Sequence, residues 1–77
     1  MILEIDIHGE TELDALKKLE RFIASAPKNC KEIVVIHGYK SGDKLQNMVR
    51  NPNKLRSRRI FKRRLTMNRG ETILELI

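Results

Sequence analysis

From Ile2 to His8 apolar and polar residues alternate, with Leu3, Ile5 and Ile7 on one side and Glu4, Asp6 and His8 on the other. A period of two belongs to a strand with one buried face. Gly9 breaks the pattern. Thr11 followed by Asp14 resembles a capping box at a helix start, although that box prefers Glu or Gln. Leu13, Leu16, Leu19, Phe22, Ile23 and Ala26 then recur at helical spacing and form one apolar stripe, which Pro27 and Asn29 close. Glu32 to Ile36 contains the β-branched run Ile33-Val34-Val35-Ile36, which predicts a short strand covered on both faces or nearly so. His37-Gly38 ends it.

Tyr39 to Gly42 reads as a loop, and Asp43 or Ser41 can cap a short second helix with Leu45, Met48 and Val49 on one face. Asn51-Pro52-Asn53 terminates that helix. Ser57 to Leu65 and Thr72 to Ile77 read as two strands of a hairpin. The turn runs from Thr66 to Gly70, with Gly70 available for a positive φ. The predicted order is β-α-β-α-β-β. The opening βαβ demands a parallel pair with a right-handed crossover, and the hairpin makes the four-stranded sheet mixed. The fold class is α/β (α+β), one domain over residues 1–77.

Composition changes this picture in three ways. First, a chain of 77 residues buries only about 60% of its unfolded surface, so its core is modest. Second, Cys30 is the single cysteine, which excludes a disulfide framework. No run approaches a membrane span, and the start of the chain lacks the charged and apolar regions of a signal peptide, so a cytoplasmic, monomeric protein is expected. Third, the charge is lopsided. Between Lys44 and Gly70 there are ten basic residues and no acidic one, which leaves −4 for the remainder of a chain whose net charge is +6. Arg56, Arg58, Arg59, Lys62, Arg63, Arg64 and Arg69 all fall in that window. An uncompensated run of this kind points to a polyanion, DNA or RNA, as partner; a solvated surface is the plain alternative. The run lacks an amphipathic helical pattern, so no membrane is expected as partner.

The candidate chemistry sits at two turns. Ile7-His8-Gly9, with Asp14 and Leu16 after it, returns 29 positions later as Ile36-His37-Gly38 with Asp43 and Leu45. Duplication explains this, and so does the use of one turn chemistry at two strand-to-helix junctions. Parallel strands place both His-Gly turns at one sheet edge, each beside a helix N-terminus whose free N–H groups favour phosphate. Asp6 and His8 project to the same face of their strand. A carboxylate beside an imidazole can orient it for general acid–base work on a phosphodiester. Alternatively Asp6 helps hold a hard divalent cation such as Mg²⁺, or the pair only shapes the turn. Two histidines without a cysteine pair fall short of zinc's usual ligands. Lys40 and Ser41 can contact phosphate, and Tyr39 can stack on a base or pack on the domain. With no Trp, stacking in the manner of RNA-recognition modules has little to rest on.

Ile5-Asp6-Ile7-His8-Gly9 resembles the Leu-Asp-Leu-His-Gly signature that opens the Smr (small MutS-related) domain. His37-Gly38-Tyr39-Lys40-Ser41-Gly42 resembles that family's second, Gly-rich motif. The resemblance covers nearly the whole chain. It implies a two-layer sandwich similar to the C-terminal domain of bacterial translation initiation factor three. It also implies nucleic-acid binding and, as in several branches, DNA nicking or RNA endonuclease activity in repair, recombination or ribosome quality control. Asp6 and His8 match the first motif; His37 and Gly38 match the second, while Gly9 and Gly42 complete the turns. Lys40 stands where many members carry another glycine, and Asp43 lengthens the loop by one residue.

Overall fold

The computed structural model describes residues 1–40 and 42–77. It contains β1 (Ile2–Asp6), α1 (Glu12–Ser25), β2 (Glu32–Ile36), α2 (Lys44–Arg50), β3 (Ile60–Leu65) and β4 (Glu71–Leu76). The sheet order is β1-β2-β4-β3, with β1 and β2 parallel and the other pairs antiparallel. The last strand in sequence is thus an inner one.

One core holds the fold together. Alternate strand residues Ile5, Ile33, Val35, Leu74 and Leu76 meet Ala15, Leu19 and Ile23 of α1 and Met48 and Val49 of α2. The period of two in the strands and of 3.6 in α1 therefore bury against each other, as two packed layers require. β2 is covered on one face and only half-buried on the other, because both helices share the face that carries the core. Thr11 caps α1, its hydroxyl accepting from the Asp14 amide at 3.2 Å. Asp43 occupies the same position before α2 but makes no side-chain capping bond, and the alternative cap, Ser41, lies outside the described residues.

Two expectations need correction. β1 ends at Asp6 rather than His8, because the His8 amide donates to the Asp6 carboxylate at 3.0 Å instead of continuing the ladder. Gly70 does not take a positive φ; Gly9, Gly38 and Gly42 do. Gly70 is needed for closeness instead. A Cβ there would lie 3.4 Å from the Gly38 Cα and 3.3 Å from the Asn68 Oδ1, and its carbonyl accepts from the amides of both His37 (2.9 Å) and Gly38 (3.1 Å).

Candidate nucleic-acid interface

The two His-Gly turns meet at one edge of the sheet. Between them lies an open cleft of about 590 Å³, lined by His8, Gly9, His37, Gly38, Tyr39, Lys40, Gly42 and Lys44, with Asn68 and Gly70 from the β3–β4 turn. Gly9 and Gly38 have φ of 79° and 73°, so the repeated sequence places a left-handed glycine at the same point of both turns. Only glycine enters that region without strain. Asn68 and Gly70 were not expected at the site. Their turn signal was readable, but which edge the hairpin reaches depends on sheet order.

Asp6 and His8 form the exposed rim. One carboxylate oxygen of Asp6 accepts from the His8 amide and from its ring Nδ1. These two bonds, in that order of strength ring first, hold the Asp6 carboxyl below its ordinary value of 3.8, with Lys18 adding a smaller electrostatic pull. Nδ1–H is given to the carboxylate, and the His8 side chain is largely exposed. Lys18 secures this turn from α1, donating to the Asp6 carbonyl at 3.1 Å and to Glu10 at 2.8 Å. Among the described residues no three His, Cys, Asp or Glu side chains group as metal ligands. A divalent cation would therefore find little beyond the Asp6 oxygen that His8 leaves free, which is a poor fit.

His37 is turned inward, only 3% exposed. Its Nδ1 bonds the Gly38 carbonyl at 2.8 Å and its Nε2 bonds the Thr72 hydroxyl at 2.9 Å. A carbonyl only accepts, so Nδ1 carries the hydrogen. The Thr72 hydroxyl then donates to Nε2 while its oxygen accepts from Arg50 Nε at 2.9 Å. Every donor and acceptor is used with the ring neutral. Burial, with Arg50 nearby, pushes the His37 pKa below its ordinary 6.5. The ring therefore fixes the shape of the second turn from beneath.

The basic window is less uniform than its sequence. Arg59 donates to the carbonyls of Ile23 (2.7 Å), Ala26 (2.6 Å) and Pro27 (3.0 Å) at the end of α1. Arg63 does the same for α2, bonding the Val49 and Leu55 carbonyls. Arg64 bridges Glu32 and Glu75, and Lys54 pairs with Glu12. The expectation of a run without internal compensation therefore fails for Lys54 and Arg64, while Arg59 and Arg63 keep their charge and direct it to carbonyls. Among the described residues Lys40, Lys44, Arg58, Lys62 and Arg69 are exposed and have no ion-pair partner. Arg56 is exposed too and makes one bond, to the Asn53 carbonyl at 3.1 Å. Lys40, Lys44 and the Arg69 turn lie about the cleft, whereas Arg56, Arg58 and Lys62 lie toward the opposite end of the hairpin. No helix is long and apolar enough to cross a membrane.

The family model described as Smr domain matches residues 5–69. No curated protein and no solved structure matches.

Proposed function

Because this chain belongs to the Smr domain family, whose members generally bind nucleic acid, we propose that it holds a DNA or RNA backbone in the cleft between its two His-Gly turns and cleaves a phosphodiester there. The observation that carries this reading is the Asp6–His8 pair at the cleft rim, with the His8 side chain largely exposed. His8 Nε2 takes the proton of an attacking hydroxyl as its oxygen bonds to phosphorus. The bond to the leaving oxygen breaks, and that oxygen receives a proton from the imidazolium. Asp6 keeps the ring in the needed tautomer and stabilises its charged form. Lys40, Lys44 and Arg69 contact phosphates, as do Arg56, Arg58 and Lys62, and at Gly9, Gly38 and Gly42 the absence of a side chain lets the nucleic-acid backbone come close. Tyr39, half exposed, stacks on a base. His37, Arg59, Arg63 and Arg64 support these contacts from behind. The sheet and helix order supports a likeness to the C-terminal domain of translation initiation factor three, and roles in repair or on ribosomes accord with that scaffold.

Purified protein incubated with structured RNA and with branched DNA tests this. Cleavage should occur, should persist in a chelator, and should be lost in the Asp6→Ala/His8→Ala double variant while binding remains. Equal cleavage by the double variant would refute the assignment. A second reading is favoured by the bond from the His8 amide to Asp6: the carboxylate shapes the turn, and the domain binds without cleaving. Binding with no turnover in the parent protein would select it.

A further inference from the structure

Phe61 lies where the β3 ladder slips. Ile60 pairs with Leu76 and Lys62 pairs with Glu75, so Phe61 has no partner across the strand. A bulge of this kind re-aims a side chain. Here it leaves an aromatic ring 68% exposed on the outer edge of the sheet. On either side in sequence stand Arg58 and Lys62, both exposed and without an ion-pair partner among the described residues. The neighbouring arginines are engaged elsewhere, Arg59 on the end of α1 and Arg64 on Glu32 and Glu75. On the sheet face away from the helices Glu4 and Glu71 are joined by Glu32 and Glu75, which Arg64 bridges, so the free positive charge of this side stands at the β3 edge.

We infer that the β3 edge is a track for an unpaired nucleic-acid strand, with Phe61 as the stacking platform for a base and Arg58 and Lys62 as contacts for the flanking phosphates. The inference rests on the nucleic-acid reading of the cleft and adds to it a second contact at the far end of the hairpin. An aromatic face between two free cations is what a single strand needs and a duplex cannot use, because duplex bases are already stacked. From Phe61 to the hairpin turn the strand covers roughly 17 Å at about 3.4 Å per residue.

Fluorescence anisotropy with labelled 12-nucleotide oligouridylate and oligothymidylate, and with a 12-base-pair duplex, tests this on Phe61→Ala, Phe61→Leu and Phe61→Tyr. Loss of one stacked base is expected to weaken single-strand binding by roughly 5- to 150-fold for Ala and Leu. Tyr should retain parental affinity, and duplex binding and melting temperature should stay unchanged in all three. Leu separates the aromatic face from apolar bulk. Single-strand affinity unchanged in Phe61→Ala would overturn the track while leaving the cleft reading intact. So would an equal loss on duplex, or a dimer in the parent protein that Phe61→Ala dissolves. No binding of any oligonucleotide by the parent protein would remove both.

Discussion

Arg58 and Arg59 are adjacent, chemically identical and differently employed, and replacing each with alanine separates folding from binding. Arg59 makes three charge-assisted bonds to carbonyls in the last turn of α1 and just after it, those of Ile23, Ala26 and Pro27. A hydrogen bond to a charged group contributes about 1.5–3 kcal/mol. The guanidinium also complements the negative end of the helix, which contributes a further 0.3–1 kcal/mol or so. The carbonyls are partly exposed and would regain water, so the sum is not fully lost. About 3 kcal/mol is the expected cost of Arg59→Ala. Against a total of about 4–12 kcal/mol for a domain of this length, that is at least a quarter of the stability. At roughly 4–8 °C per kcal/mol the melting temperature should fall by about 12–24 °C. Arg59→Lys, with one ammonium for three carbonyls, should recover less than half. Among the described residues Arg58 has no side-chain hydrogen bond or ion pair, so Arg58→Ala should stay within about 0.5 kcal/mol of the parent. The assays are thermal denaturation by circular dichroism and oligonucleotide affinity over a salt series. Arg58→Ala should lower the slope of log affinity against log salt by about 0.9. Arg59→Ala, measured well below its melting point, should leave the slope unchanged. A melting temperature for Arg59→Ala within 2 °C or so of the parent, or identical behaviour of the two variants, would refute this division of labour.

Three further outcomes are expected. The folded state holds His37 neutral, so the unfolded chain binds more protons as pH drops past 6.5. Stability conferred at neutral pH should be lost as pH falls from there through the lower folded value, and denaturation midpoints of His37→Gln across pH 4.5–7.5 should show a flatter dependence than the parent's. Gly9→Ala and Gly38→Ala share a left-handed backbone cost of about 1–2 kcal/mol. Gly38→Ala should cost more and weaken oligonucleotide binding further, because its new Cβ would press on the His8 Cβ at 3.3 Å whereas Gly9 has open space; chemical denaturation and anisotropy read both effects. With about five phosphate contacts made by the free cations, affinity should fall roughly 500-fold between 50 and 200 mM salt, and a flat response would remove the electrostatic argument.

Much of the frame was readable in the sequence because it is written locally. The alternation before Gly9, the apolar stripe from Leu13, the Thr11 cap and the hairpin all depend on residues a few positions apart. The Asp6–His8 pair is local too, but it forms through the turn after β1 and not, as the alternation suggested, on one strand face. The uses of Arg59 and Arg63 were not readable, since the carbonyls they bond belong to elements placed beside them only by tertiary packing. A charged residue looks the same in sequence whether it faces water or a helix end. His37 and His8 sit in matching tripeptides, yet one is buried on Thr72 and the other is exposed beside Asp6. The difference comes from strand position: β2 is an inner strand with β4 alongside, and β1 is an edge. Phe61 was hidden for the same reason, because a bulge is a property of pairing and not of the residue.

The inner placement of β4 has a consequence for how the protein comes into being. In the hydrogen-bonded ladder β2 and β3 are joined through this strand, and the amides of His37 and Gly38 are held by the Gly70 carbonyl just before it. During synthesis β1, α1, β2 and α2 emerge with one edge of β2 bare, and neither the cleft floor nor the β3 edge can settle until residues 70–76 have been made. A nascent chain interrupted anywhere earlier carries the whole Asp6–His8 motif without a formed binding site. The finished cleft thus depends on β4 being in place.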